Sequence, residues 1–220
     1  MNKDKIDPIL GKKVNDHLTA LGVQTPIIEN NLSETQKIDI IQEKMVDIFN
    51  ALGLDLTDDS LSETPKRIAK MFVKEIYWAL DYEKFPKCTT IENKMGYDEM
   101  VFERDIKVMS ECEHHLRPIM GKANVAYFPK EKVIGLSKIN RIVDYFARRP
   151  QVQERLAEQI YHALSYILET DDVAVVIDAQ HFCVIQRGAE DVSSHTVTSK
   201  LGGRFRTTPE VRSEFLSFIR

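Results

Sequence analysis

Cysteine is scarce in this chain of 220 residues: three occur, at positions 88, 112 and 183. An odd and sparse count excludes a disulfide framework and points to a reducing compartment, hence a cytoplasmic protein. Charge of one sign is lacking too. Thirty basic against 34 acidic side chains leave a net charge of −4, so no global basic field recruits nucleic acid. No run of about 18 apolar residues is present, so no membrane span is expected. Residues 1–20 carry charges throughout, which predicts no secretory signal peptide. Internal repeats and low-complexity tracts are absent. What remains is 43% hydrophobic and 29% charged, the composition of a soluble globular protein with a sizeable core.

The first half of the chain reads as helices. Residues 6–21 suggest a modest amphipathic helix interrupted by Pro8 and Gly11, and residues 25–31 a linker. Ser33 and Gln36 form a capping box for a clearer helix, with Ile38, Ile41, Met45, Ile48 and Leu52 as its apolar stripe and Gly53 as its end. Thr64-Pro65 opens a third helix, the Thr64 hydroxyl as cap and Ile68, Met71, Phe72 and Ile76 inward.

Beyond Pro86 the period changes. Residues 100–110 and 118–128 read as an antiparallel strand pair whose connection carries Cys112 to His115. Ser137 caps a helix over 138–148, with Ile139, Ile142, Val143 and Phe146 inward; a longer helix follows, with Val152, Leu156, Ile160, Leu164 and Ile167 along one face. Residues 173–179 predict a buried strand, and residues 181–187 its hairpin partner, which would turn His181, Cys183 and Ile185 to one face. Residues 188–203 read as a loop with His195 exposed, and Thr208-Pro209 opens a last helix burying Val211, Phe215, Phe218 and Ile219. The sum is an α+β fold, an antiparallel sheet backed by helices. It divides into an N-terminal arm over 1–32, a helical region over 33–87 and a sheet-bearing domain over 88–220.

Two short runs carry the chemistry: Cys112-Glu113-His114-His115 and His181-Phe182-Cys183. Cys112, His115 and Cys183 offer thiolate and imidazole, the donors Zn²⁺ prefers, and three protein ligands leave a tetrahedral position open for water. His114 and His181 adjoin these ligands and are candidates for proton transfer. An isolated C-x-x-H is a weak signal, since single Cys and His residues are commonly core or surface residues. The second run and the lack of surplus cysteines strengthen it. Lys138, Arg141, Arg148, Arg149 and Glu154 cluster around two helix starts. Cations there oppose the macrodipole unless an anion binds, and helix N-termini favour phosphate; the alternative is ordinary solvated side chains. Arg67, by spacing alone, reads as a solvated arginine.

Together these runs resemble a known family. Glu111 to His115, Gly135-Leu136-Ser137-Lys138-Ile139-Asn140-Arg141, Arg149-Pro150-Gln151-Val152-Gln153-Glu154-Arg155-Leu156, His181 to Cys183, and Ser62 to Met71 around Thr64-Pro65-Lys66-Arg67 are similar to GTP cyclohydrolase I of the bacterial and animal type. The resemblance covers the chain from about residue 33 onward, and its motifs occur in order.

The resemblance implies a tunnelling fold, in which helix-backed antiparallel sheets of several subunits close into a barrel, with rings of five stacked as a homodecamer. It implies conversion of GTP and water to formate and 7,8-dihydroneopterin triphosphate, the first step of tetrahydrofolate or pterin synthesis. Zn²⁺ on Cys112, His115 and Cys183 would activate water by lowering its pKa from about 15.7 towards 7. His114 would protonate guanine N7, and His181 would carry protons during ring opening. Glu154, assisted by Gln153, would read guanine. Arg67, Lys138, Arg141 and Arg187 would hold the triphosphate, and Ser137 would lie near the ribose. Two alternatives stay open: a same-fold enzyme such as a deazaguanine nitrile reductase, and a purine-binding regulatory protein with structural zinc, for which Cys88 would be the spare ligand. A zinc nucleoside deaminase is disfavoured, since neither H-x-E nor P-C-x-x-C occurs.

Overall fold

The N-terminal helix begins where local chemistry dictates. In the computed structural model, which describes residues 5–219, Asp7 caps helix α1 (Pro8–Ala20) by accepting from the Leu10 N–H at 2.9 Å, and Pro8 occupies the first turn, where its missing N–H costs nothing. The expected interruption does not occur. Gly11 is a contact device instead: a Cβ there would stand 2.0 Å from the Tyr82 carbonyl oxygen, so only glycine lets α1 lie against the 82–85 turn. Val14 and Leu18 are fully buried on the same helix.

The described residues group into two compact units, 26–80 and the combination of 5–25 with 81–219. The first holds α2 (Glu34–Ala51) and α3 (Thr64–Met71), which runs into a π-helical turn at Phe72–Ile76. The Ser33–Gln36 capping box is present with both bonds made. The α2 stripe is covered only at one end within this chain: Ile38 is buried, whereas Ile48 and Leu52 are exposed. Thr64 does not cap α3. Glu63 holds that position with helical backbone angles, because the preceding residues already turn, and no extended residue is left whose hydroxyl could fold back. On α3 it is Pro65 and Ala69 that are buried, with Ile68 and Met71 half-buried.

The second unit holds a five-stranded sheet, built from β2 (Val101–Cys112), β3 (Pro118–Tyr127), β5 (Pro150–Gln151), β6 (Val173–His181) and β7 (Thr196–Leu201) in the order β5-β2-β3-β6-β7. Only the β5–β2 pairing is parallel. A separate ribbon pairs β1 (Thr90–Glu92) with β4 (Lys132–Ile134). Helices α4 (Leu136–Ala147) and α5 (Gln153–Leu168) back the sheet, burying Ile139, Ile142, Val143, Phe146, Leu156, Ile160 and Leu164 as their period predicts. The apolar run over residues 173–177 of β6 follows from cover on both faces: Ala174 and Val176 pack with Phe205 and Phe215 from α7 (Gly203–Thr207) and α8 (Pro209–Phe218). Phe218, expected inward, is 42% exposed.

Two sequence expectations fail here. Ser137 does not cap α4; Gly135 stands at the cap, and Ser137 is already inside the helix. The partner of β6 is not residues 181–187. The strand ends at His181 and the chain coils into a one-turn helix α6 (Phe182–Ile185), so His181 and Cys183 are not related by strand alternation. Beside β3, β6 pairs instead with β7, from the stretch expected to be loop; Thr196, Val197 and Thr198 are β-branched, and the threonines suit an edge strand.

Candidate active site

Cys112 is the last residue of β2 and is buried. Its N–H donates to the Arg117 carbonyl at 2.8 Å, and its own carbonyl accepts from Leu116 N–H at 2.9 Å, closing a tight turn over residues 113–116. Leu116 takes a left-handed conformation, φ 48°, to make that turn. The turn folds both histidines back to the thiol: Cys112 Sγ lies 3.9 Å from His114 Nδ1 and 4.0 Å from His115 Nδ1.

The second arm arrives from β6 and α6. Cys183 Sγ joins Cys112 Sγ and a His115 nitrogen, the three donor atoms all lying within 4.8 Å of one another. Burial, and then the adjacent Cys112 thiol, raise the Cys183 thiol above its ordinary range. Two sheltered thiols and an imidazole, converging where a second negative charge is disfavoured, make a soft donor set that fits a Zn²⁺-like cation. Arg187 Nη1 stands 2.8 Å from His115 Nε2; a guanidinium only donates, so that nitrogen accepts.

The first turn of α5 touches both arms. Gln153 is buried; its amide nitrogen faces the carbonyls of Ile177 at 3.0 Å and Thr196 at 2.8 Å, and its oxygen meets His181 Nε2 at 2.7 Å. Its polar atoms are thus engaged within the protein. Glu154, next to it, is exposed and near enough to His181 to favour the imidazolium, although burial prevails and lowers the histidine below its ordinary pKa. Arg155 forms a two-pronged pair with Glu113, at 2.6 and 3.2 Å, and holds that carboxyl below the usual carboxylate range. Both lie in the runs singled out in the sequence, but nothing there gave either a role.

The remaining candidates are distributed. Ser137, Lys138 and Arg141 occupy the start of α4; Lys138 and Arg141 are grouped with Cys88, whose thiol burial nevertheless pushes up to about 12. Arg149, expected at a cationic surface, is fully buried: its Nη1 donates to Thr25 Oγ1 and Tyr82 OH, each at 3.2 Å, and its guanidinium lies 4.7 Å from the Tyr145 ring centre. Arg148 pairs with Asp144 one turn back. Arg67 belongs to the unit over 26–80 and is exposed. His195 is exposed as expected and pairs with Asp178 at 2.9 Å. A groove of about 960 Å³ is lined by Lys13, His17, Cys88, His162 and Tyr166, and the thiol–imidazole cluster does not border it.

Residues 41–220 match the family model described as GTP cyclohydrolase I. This chain belongs to the GTP cyclohydrolase I family. Its relatives named GTP cyclohydrolase 1 include that of Aliivibrio salmonicida, 57% identical with 94% of this chain and 95% of the relative covered. That of Aeromonas salmonicida is 58% identical, covering 92% and 93%. That of Vibrio cholerae is 56% identical, covering 95% and 96%. Among solved structures, an archaeosine synthase QueF-Like protein overlaps 47% of this chain and 93% of its own, at TM-score 0.40 and 15% identity. Membership of the GTP cyclohydrolase I family makes the chain a hydrolase of the tunnelling-fold class, and its sheet backed by helices agrees with that class. No helix among the described residues is long and apolar enough to cross a membrane.

Proposed function

We propose that this chain converts GTP and water to formate and 7,8-dihydroneopterin triphosphate, the first step of tetrahydrofolate or pterin synthesis, in the cytoplasm and with one Zn²⁺ per chain. One observation carries the reading: in a chain of this family, the donor atoms of Cys112, His115 and Cys183 converge within 4.8 Å. Zn²⁺ held there would supply a Lewis acid that brings the pKa of a water from about 15.7 towards 7.

The chain's own residues do the rest. His114, with its side chain 64% exposed beside Cys112, is free to meet substrate and protonates guanine N7, which makes C8 more electrophilic. His181 carries protons as the imidazole ring opens and formate leaves; Gln153 assists by holding it. Glu154 accepts from the guanine N1–H and 2-amino donors. Arg67, Lys138, Arg141 and Arg187 bind the triphosphate, for which guanidinium forks suit phosphate oxygens, and Ser137 serves the ribose. Catalysis is assigned to the stretch 88–220.

The assembly is a homodecamer of two stacked pentamers, with sheets of neighbouring chains closing into a barrel. The open edge of β7, and that of β2 from Val101 to Ser110, support this, because unpaired edges call for pairing or cover.

Purified protein incubated with GTP and zinc should release formate and a pterin chromophore in equal amounts, and a chelator should abolish both. Stoichiometric zinc with no formate would favour a purine-binding protein with structural metal instead.

A further inference from the structure

We infer that Arg155 is a positioning residue that, through Glu113, locks the turn bearing Cys112, His114 and His115 onto the first turn of α5, and so sets zinc affinity and the aim of His114. It rests on the zinc-dependent reading above.

Three observations converge on residue 113. Its carboxylate is gripped by both guanidinium arms, Oε2 by Nη1 at 2.6 Å and Oε1 by Nη2 at 3.2 Å. Its N–H donates to the Gln151 carbonyl at 3.0 Å, so backbone and side chain are tied to the same segment, 151–155. The same carboxylate stands 3.9 Å from His114 Nε2. Position 113 lies between a metal-ligand candidate and the proton donor, so whatever holds it holds both neighbours.

The pair is unlike a surface ion pair. The side chains of Arg155 and Glu113 are 21% and 24% exposed, and the contact is bidentate, the geometry in which arginine and carboxylate interact most strongly. The turn also needs outside support. Leu116 sits in left-handed backbone, which a branched aliphatic residue enters at an energetic cost, so the turn does not hold its shape by local preference. Lysine would supply charge at position 155 without the fork.

The test uses Arg155→Met, Arg155→Lys, Glu113→Gln and the double variant Glu113→Gln/Arg155→Met, in the full chain. Zinc affinity is read by competition with a chromophoric chelator. Amide exchange at Glu113 and Leu116 is followed in metal-free protein, and kcat and KM are measured with GTP. Arg155→Met should weaken zinc binding by about 10–100-fold, the usual effect of removing a group that orients a ligand shell. Its kcat should fall while KM stays within about threefold, and exchange at the two amides should quicken. Arg155→Lys should recover only part of the loss. The double variant should be no worse than Arg155→Met, because one interaction is removed twice.

Zinc affinity and exchange rates within about twofold of the parent in Arg155→Met would overturn the inference, as would losses that multiply in the double variant. If Arg155→Met does not fold, Glu113→Gln carries the decision: parental zinc affinity there overturns it equally. The two readings fail separately. A parent that binds zinc but leaves GTP unchanged sinks the proposed reaction, while zinc affinity still decides the role of Arg155. A parent that turns over GTP, with Arg155→Met at parental zinc affinity, sinks only the positioning role.

Discussion

His181 Nε2 and Gln153 Oε1 lie 2.7 Å apart, and the far end of the amide decides which of them donates. The Gln153 nitrogen faces two backbone carbonyls, which only accept, so the oxygen faces His181 and accepts from it. His181 therefore carries its proton on Nε2 and keeps a lone pair on Nδ1. Gln153→Ala should release that choice. We expect kcat to fall roughly tenfold to hundredfold with little change in KM, as when the partner orienting a functional histidine is removed. Nitrogen shifts of the His181 ring should move from one tautomer to a mixture; an unchanged tautomer would refute the argument.

Metal binding should separate the three cysteines. Cys183→Ser should lose zinc and activity together. Cys88→Ser should keep both, because that half-buried thiol donates to the Pro86 carbonyl at 3.3 Å and lies outside the thiol–imidazole cluster. Metal analysis after gel filtration checks this, and stoichiometric zinc in Cys183→Ser would dismiss the ligand assignment.

His114→Ala should retain zinc and lose turnover by about 10²- to 10⁴-fold, the usual contribution of general acid–base catalysis. Both histidines of the turn lie about equally far from Cys112 Sγ, at 3.9 and 4.0 Å, so the experiment discriminates where sulfur distance does not. Loss of zinc in this variant would reverse the two assignments.

Stability should decline in mild acid. Burial, abetted by Lys200 and His17 and opposed by Glu158, holds His162 below its ordinary value of 6.5. The native state then binds fewer protons than the unfolded chain just below that pH. The contribution is fully present above 6.5 and is lost as pH falls from there through the lower native value. Melting temperatures between about pH 7.5 and 5 should fall, and less steeply in His162→Gln. An identical slope in the variant would remove His162 from the explanation.

The helices of the sheet unit were legible because their faces are periodic, as with Ile139, Ile142, Val143 and Phe146, all fully buried. The ligand trio was legible because soft donors are few and occur in two short runs. What escaped was set by tertiary contact. Gly11 looked like a breaker until the Tyr82 carbonyl was found against it. Thr196 to Leu201 looked like loop because an edge strand needs no apolar alternation. Arg149 looked like a surface cation, since nothing local announces the rings that surround it. Glu113 and Arg155 are 42 positions apart, a pairing that no local pattern encodes.

The unit that contains the sheet is discontinuous in the chain, and this shapes how the protein is made. Helix α1 packs against α5, and Gln159 donates to the Val23 carbonyl at 2.8 Å, so this segment depends on one that emerges more than a hundred residues later. At typical elongation rates that delay is on the order of ten seconds. Throughout it α1 lacks its α5 cover, with only the 82–85 turn emerging sooner, so the apolar stripe of Val14 and Leu18 stays incompletely shielded. Docking of this helix then requires closure of a long loop, which places it among the late events of folding rather than the early ones.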